Sequence, residues 1–324
     1  MKTMDKSARV PKAFIITGAL LALGWLATYL VPATREMLVS YAFSMLFNGL
    51  LVALFWRNAR RGARRFWGLL AAAWGIGLLG NIVWGIWDMF ALFAAEGLAT
   101  LSLVDLFYLA RYALVFLALA GCLPRPARRG EDWIALGAMA TALVWLALYR
   151  PVLTGDSRPF SYFIGLAIYP VLDLPLLYIA LLAWAYHQEG PTKRTLGLMV
   201  LSMFAYGIAN WLNFSKRAVT LEAYTHIADL FWFLSDLLAG GAALYASARA
   251  ASRRQRPHPR ELAYIPIGAS ILTIAMTGGD WILRRGKPDG VLIASSLITL
   301  ATLGLSIYRG RLTIGSDADN GGQG

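Results

Sequence analysis

The stretch Asp105-Leu106-Phe107-Tyr108 occurs a second time, with one aromatic residue exchanged, as Asp229-Leu230-Phe231-Trp232. Both copies lie in apolar segments, roughly residues 101–122 and 222–246, that are long enough to cross a bilayer as α-helices. A carboxylate inside a membrane is costly unless it is paired or hydrated. The repetition therefore predicts a polar centre, present in two related copies, inside a bundle of membrane-spanning helices.

The composition of the whole chain agrees with this interpretation. Of its 324 residues 58% are apolar and only 15% are charged, and the mean hydropathy is +0.56. Soluble globular domains are far more polar. We predict an all-α, polytopic membrane protein with about ten transmembrane helices, because apolar runs near twenty residues recur along the chain. The expected spans are 13–32, 36–56, 66–87, 101–122, 133–149, 160–186, 195–214, 222–246, 262–283 and 291–308.

The net charge of +12 could suggest nucleic acid as a partner, but the distribution of the charge favours a membrane topology. Basic residues cluster between alternate spans, for example at 57–65, 125–129 and 249–260. This is the bias of cytoplasmic loops. We therefore expect a multi-pass protein of the inner (cytoplasmic) membrane with both termini cytoplasmic, the lipid bilayer as its surroundings and no nucleic-acid partner. The loop 284–287 contradicts the scheme, since it is basic and should lie outside.

The sequence predicts an internal repeat of four helices. Three pairs of matches occur in the same order: Gly24–Tyr29 with Val144–Tyr149, Gly68 and Asn81 with Gly197 and Asn210, and Asp105–Tyr108 with Asp229–Trp232. An even number of spans per copy gives both copies the same orientation, which makes the repeat parallel. The predicted organisation is a cytoplasmic N-terminus 1–12, a first repeat 13–122, a second repeat 133–248, an appended helix pair 262–308 and a disordered cytoplasmic tail 309–324.

Arg111 is the basic residue that the sequence places in the middle of a predicted span, so it requires a negative partner. Asp173 and Asp236, at similar predicted depth on other helices, are the two alternatives. The pair is either structural or part of a ligand or proton site. Asp236 corresponds to Tyr112 in the other copy, so the copies differ beside Arg111. The candidate ligand-binding residues are Trp84, Asp105, Tyr108, Arg111, Tyr112, Tyr169, Asp173, Asp229, Trp232 and Asp236.

Two prolines, Pro170 and Pro175, lie in the middle of the sixth predicted span, beside Tyr169 and Asp173. Proline removes a backbone hydrogen bond and kinks a helix. The freed carbonyl groups then need donors or water. The pattern predicts either the wall of a polar cavity or a bend that fits the bundle.

Chemistry-bearing residues are few. The chain has three histidines and one cysteine, too few within the spans for a zinc site, a haem with paired histidines or a disulfide framework. No predicted span contains a lysine, and neither a G-x-S-x-G elbow nor a phosphate-binding loop occurs. We therefore expect no cofactor, no metal and no catalytic residues, and an enzyme is the less favoured class.

The segment Ser102–Tyr112, preceded by Asn81–Trp84, resembles part of a bacterial multi-span membrane sensor region of the kind found before GGDEF or EAL cyclic-di-GMP domains. Tyr169-Pro170 with Asp173, and the segment Asp229–Asp236, fit the second half of that pattern. The chain departs from the pattern at Asn81, where an acid is usual, and in the lack of an output domain after the last predicted span. The resemblance implies a sensory module that signals through a cytoplasmic or membrane partner.

Three functions remain open from the sequence. The first is a sensory module that binds a small molecule or lipid in a polar cavity in the outer half of the membrane. The second is a proton-coupled transporter, because buried acids on several helices suit proton relays. The third is a structural or assembly subunit of a membrane complex, in which the polar groups only hold helices together.

Overall fold

The structure is a computed structural model that describes residues 16, 18–20, 22–26, 33–89, 103–123, 130–146, 160–186, 191–219, 224–246, 264–283 and 289–320. Throughout these ranges the regular structure is helical, which confirms the all-α prediction. The helices are α1 (Ala33–Arg61), α2 (Arg64–Met89), α3 (Leu103–Ala120), α4 (Gly130–Val144), α5 (Phe160–Tyr186), α6 (Lys193–Val219), α7 (Tyr224–Tyr245), α8 (Tyr264–Leu283) and α9 (Gly290–Asn320).

Among the described residues, six helical segments are long and apolar enough to cross a membrane. They are Val39–Arg61, Arg64–Ile86, Ile168–Ala185, Lys193–Asn213, Ile227–Tyr245 and Gly290–Tyr308. The apolar part of α4, Trp133–Val144, is shorter. The first expected span, 13–32, lies largely outside the described residues. The described residues therefore contain six candidate spanning helices, and the count of ten remains a prediction.

Local signals explain where several helices begin and end. Asp289 begins α9, because its Oδ1 accepts hydrogen bonds from the backbone N–H groups of Val291 and Leu292 at 3.0 and 3.3 Å. Thr192 begins α6 in the same way, through Thr195 N–H at 3.2 Å. The tight turn between α1 and α2 contains Ala63 at a positive φ of 44°, a conformation that non-glycine residues adopt infrequently.

The structure adds detail to one predicted helix and differs from the prediction at the end of another. Helix α5 continues through both Pro170 and Pro175, so the prolines lie inside a single helix. Helix α9 continues to Asn320, although we expected a disordered tail over 309–324.

The helices form two compact units. Unit 1 contains α1, α2, α3, α6 and α7, in which α1 packs on α2 and α7, α2 on α3, and α6 on α7. Unit 2 contains α4, α5, α8 and α9, with α4 packed against the other three. The units follow spatial contact and do not coincide with the predicted repeats, since α6 and α7 of the second repeat lie in the unit of α2 and α3.

Many large apolar side chains on these helices are exposed, among them Leu50, Leu79, Leu106, Phe204 and Ile271. Exposed apolar surface of this kind is unusual for a soluble monomer. It is the surface expected of helices that contact lipid, where association depends on packing and on hydrogen bonds between helices. The structure thus supports the membrane assignment, and the choice of membrane and the orientation of the termini remain predictions.

Candidate functional site

Arg111 and Asp236 form an ion pair in the interior of unit 1. Arg111 lies on α3 and Asp236 on α7, and Arg111 Nη2 is 3.7 Å from Asp236 Oδ1. Both residues are buried, each with 8% of its surface exposed. The structure thus answers the question that the sequence left open, because Asp236, rather than Asp173, is the carboxylate beside Arg111.

Two further donors converge on the carboxylate of Asp236. The indole Nε1–H of Trp74, on α2, donates to Oδ1 at 3.0 Å, and the side-chain amide of Asn48, on α1, donates to Oδ2 at 3.4 Å. Trp74 and Asn48 are both almost completely buried. One carboxylate on α7 therefore holds side chains from three other helices, an arrangement that stabilises its charged form.

The guanidinium of Arg111 contacts two aromatic rings in addition to Asp236. Its Cζ lies 4.5 Å from the ring centroid of Trp74 and 5.0 Å from that of Tyr206, on α6. A cation close to an aromatic face is attracted by the ring, and the attraction is larger where water is excluded. Arg111 is therefore stabilised by α2, α6 and α7 together.

A second group of hydrogen bonds joins α1, α2 and α3. Tyr108 OH donates to Asn81 Oδ1 at 2.7 Å, and the Asn81 amide donates to Ser44 Oγ at 3.0 Å. The Asn48 amide donates to the backbone oxygen of Ser44 at 2.8 Å, which links this group to Asp236. The polar side chains are thus connected from Tyr108 to the ion pair.

A third group of hydrogen bonds, around Asn210, joins α6 to α3 and α7. Its Oδ1 accepts a hydrogen bond from Trp232 Nε1 at 3.2 Å, and its amide donates to Tyr112 OH at 2.8 Å. The ring of Tyr112 also packs edge-on against Tyr206, with 5.9 Å between centroids. Asn210 and Tyr112 are both buried. Asn210 therefore joins α6 to α3 as well as to α7.

Small residues on α2 make room for this centre. A Cβ added to Gly77 would lie 3.1 Å from Cδ of Arg111, and one added to Gly80 would lie 3.1 Å from Cβ of Phe107. Glycines at helix contacts in membranes allow close approach of the backbones. The side chain of Arg111 occupies the space that a larger residue at position 77 would take.

Several residues of this centre are not among the ten candidates predicted from the sequence, including Ser44, Asn48, Trp74, Gly77 and Tyr206. Ser44 and Asn48 are polar residues one helical turn apart in an apolar span, which is a signal that could have placed them on one face. Trp74 and Tyr206 carry no such signal, because aromatic residues are common throughout these helices.

The remaining predicted residues of unit 1 lie further along the same helices. Asp105 is in the first turn of α3 and Asp229 is near the start of α7, and both are half-buried. They precede Arg111 and Asp236 by six and seven residues, which is about 9–10 Å along a helix axis. Trp84 is half-buried on α2, three residues after Asn81. Each of the three makes contacts of its own.

Tyr169 and Asp173 belong to unit 2, on α5. Asp173 is buried and Tyr169 half-buried, and both take part in contacts there. Of the ten candidate residues, unit 1 therefore contains eight. Arg111 and Asp236 are in direct contact, Tyr112 and Trp232 are joined by Asn210, and Tyr108 is linked through Asn81, Ser44 and Asn48.

Within the described parts of the chain, no group of three or more His, Cys, Asp or Glu side chains is placed to hold a metal ion. The centre is instead made of one cation, one carboxylate, amides, hydroxyls and indoles. These groups can bind polar atoms of a ligand, or hold helices together, without a metal.

Comparison with models of protein families, with curated proteins and with solved structures gives no match to this chain. The resemblance to sensor regions of cyclic-di-GMP proteins therefore remains an expectation from the sequence.

Proposed function

We propose that the protein is an integral membrane sensory module that binds a small molecule or lipid in unit 1 and signals to a partner protein. In this proposal the chain crosses the inner membrane about ten times, with both termini in the cytoplasm, and contains the parallel four-helix repeat. The observation that carries the proposal is the polar centre of unit 1, in which side chains from five helices meet around Arg111 and Asp236.

The hydrogen bonds of the two asparagines support the repeat. In the first copy Asn81 Oδ1 accepts a hydrogen bond from Tyr108, and in the second copy Asn210 Oδ1 accepts one from Trp232. Tyr108 and Trp232 are the residues that end the repeated Asp-Leu-Phe-aromatic string. The same contact at matching positions is what a duplicated pair of helices would retain.

In each direction between the two copies, a residue on the helix that carries the asparagine donates a hydrogen bond to a residue on the other copy's helix with the repeated string, but the residue types differ. Asp236 on α7 accepts from Trp74 on α2, whereas its counterpart Tyr112 on α3 accepts from Asn210 on α6. Arg111 on α3 then pairs with Asp236 across the copies. Because the residues at corresponding positions differ, the centre is asymmetric, as binding of an asymmetric ligand would require.

A ligand in such a centre would favour one packing of the two copies over another. The shift is limited to the difference in the free energy with which the ligand binds the two arrangements. The basic cytoplasmic turn between α1 and α2, where Arg57, Arg60, Arg61, Arg64 and Arg65 are exposed, is one surface that could present this change to a partner.

Accessibility of cysteine substitutions separates the proposal from its two alternatives. Single cysteines along α5 and α7, in a Cys122→Ser background, would be labelled with a membrane-impermeant maleimide in right-side-out and inverted vesicles. A sensory cavity in the outer half of the membrane predicts labelling at depth from the outer side alone. Labelling at depth from both sides would favour a proton-coupled transporter, and protection from both sides would favour a structural subunit.

A further inference from the structure

The guanidinium of Arg111 has more donors than the protein uses. It carries five N–H groups. In the part of the chain that the structure describes it forms no hydrogen bond, because its nearest carboxylate oxygen is at 3.7 Å and its other contacts are ring faces. Hydrogen bonds of N–H groups to oxygen are about 2.7–3.2 Å long. Donors buried without an acceptor are costly, and more so when they are charged.

Arg111 is buried but is not completely covered, since 8% of its surface remains exposed. Several other groups of the centre already have partners, although Asn48 Oδ1, an acceptor, has none among the described residues. Asp236 is bound by Trp74 and Asn48, and Tyr112 by Asn210. The N–H groups of Arg111 are therefore the donors that the centre can offer to an acceptor oxygen.

The charge of the centre selects the kind of acceptor. Arg111 and Asp236 neutralise one another, so a second anion would leave a net negative charge in a buried site, which is unfavourable. A carbonyl oxygen accepts hydrogen bonds from a guanidinium without adding charge. The exposed apolar faces of the helices suit a molecule that reaches the site through the lipid.

We propose that the Arg111 guanidinium binds the carbonyl oxygen of an uncharged, membrane-soluble molecule, either a quinone or a lipid ester. This inference rests on the proposed ligand-binding function and adds the chemical class of the ligand and the group that recognises it. Asp236 and Trp74 act as positioning residues that hold the guanidinium in place.

The test uses the full chain in nanodiscs of diether phosphatidylcholine, which contains no ester carbonyl. Four probes are compared by equilibrium binding and by the shift in melting temperature: a short-chain prenylated benzoquinone, dioctanoylglycerol, the dialkyl ether analogue of that glyceride, and octanoate. We expect saturable binding of the quinone or of the ester, with at least tenfold weaker binding of the ether. The probe that binds identifies the source of the carbonyl.

Arg111→Lys keeps the charge beside Asp236 but replaces the planar five-donor group by a compact ammonium. We expect it to weaken binding of the carbonyl probe at least tenfold. Gly77→Ala is a second variant that keeps Arg111 itself and displaces its side chain by a few tenths of an ångström. Its matched control is Gly75→Ala, where the added Cβ would have its nearest neighbour at 3.9 Å. We expect Gly77→Ala to weaken binding and Gly75→Ala to leave it unchanged.

Three results would overturn the inference: saturable binding of the ester and its ether analogue with equal affinity, unchanged binding of the carbonyl probe in both Arg111→Lys and Gly77→Ala, or no saturable binding of either carbonyl probe. Tighter binding of octanoate, lost in Arg111→Lys, would overturn the carbonyl assignment and leave the ligand-binding function intact. The cysteine accessibility experiment decides that function independently of all four probes.

Discussion

Arg111 brings a positive charge into the apolar interior of unit 1, and the residues around it show how the chain stabilises such a group. The ion pair with Asp236 supplies the opposite charge, and Trp74 and Tyr206 supply aromatic faces. Buried pairs of this kind add little stability as a unit, but removal of one partner strands the other and costs several kcal/mol. Substitution of either residue alone is therefore expected to lower the stability of unit 1.

A prediction for a single residue concerns the contribution of Asn210 to stability. Asn210→Leu removes the acceptor of the half-buried Trp232 and the donor to the buried Tyr112, so each of these residues loses one hydrogen bond. We expect a loss of about 1–3 kcal/mol in the free energy of unfolding, measured by denaturation in detergent. Asn213→Leu, at a half-buried asparagine three residues further along α6, is the matched control and should change stability by less than about 0.5 kcal/mol. Equal effects of the two variants would argue against a structural role for Asn210.

Much of this centre could be identified from the sequence, but its pairing could not. Arg111, Tyr112, Trp232 and Asp236 were predicted because charged or repeated polar residues in apolar helices require partners. Predicted depth did not distinguish Asp173 from Asp236, since the choice depends on which helices are neighbours. Neutral residues such as Asn48 and Gly77 have roles that appear only when that neighbourhood is known.

At the scale of the helices, close contacts and hydrogen bonds replace the hydrophobic effect that packs soluble proteins. The α2–α3 contact depends on Gly80, and the α8–α9 contact on two hydroxyl pairs, Thr273 with Thr299 and Thr277 with Ser296, each at 2.8 Å. The apolar patterns predicted the existence of these helices. The patterns did not predict the end of α9, where the helix continues into a polar segment.

Gly80→Leu should destabilise the α2–α3 pair, because even a Cβ at this position would lie 3.1 Å from Phe107 and 3.4 Å from Tyr108. We expect a loss of about 1–3 kcal/mol from overpacking. Gly68→Leu is the control on the same helix, where an added Cβ would have no neighbour within 4 Å. It should leave the melting temperature in detergent unchanged or raise it. A loss at Gly68 as large as that at Gly80 would contradict this packing.

Thr273→Val tests the α8–α9 contact, since valine keeps the shape of threonine and removes the hydroxyl shared with Thr299. The expected loss is about 0.5–1.5 kcal/mol. Thr302→Val is the matched control, because the hydroxyl of Thr302 donates to the backbone of its own helix at Thr299. Thermal unfolding of the two variants should separate them, and a smaller loss for Thr273→Val than for Thr302→Val would exclude the interhelical role.

At the scale of the whole molecule, the repeat predicted from the sequence does not coincide with the two compact units of the structure. Unit 1 combines α2 and α3, from the first predicted copy, with α6 and α7, from the second predicted copy, while α4 and α5 belong to unit 2. A sequence repeat identifies related segments but does not show which segments contact each other. Those contacts depend on which polar and small residues meet. The positions of Arg111 and Asp236 are the clearest example.

The orientation in the membrane gives a further prediction. The turn at Gly62 lies among five arginines, so it should face the cytoplasm. Gly62→Cys in a Cys122→Ser background should react with an impermeant maleimide in inverted vesicles and stay unlabelled in right-side-out ones. Labelling in right-side-out vesicles would reverse the proposed topology.

Arg111 on α3 and Asp236 on α7 form the charge pair on which the proposed site depends, and a double-mutant cycle measures this pairing most directly. The unfolding free energy is compared for Arg111→Ala, Asp236→Ala and the double variant, with Asp173→Ala in place of Asp236→Ala as the matched control. We expect a coupling of at least about 1.5 kcal/mol for Arg111 with Asp236, and additivity within about 0.5 kcal/mol for Arg111 with Asp173. Additive effects at Arg111 and Asp236, or an equal coupling to Asp173, would contradict it.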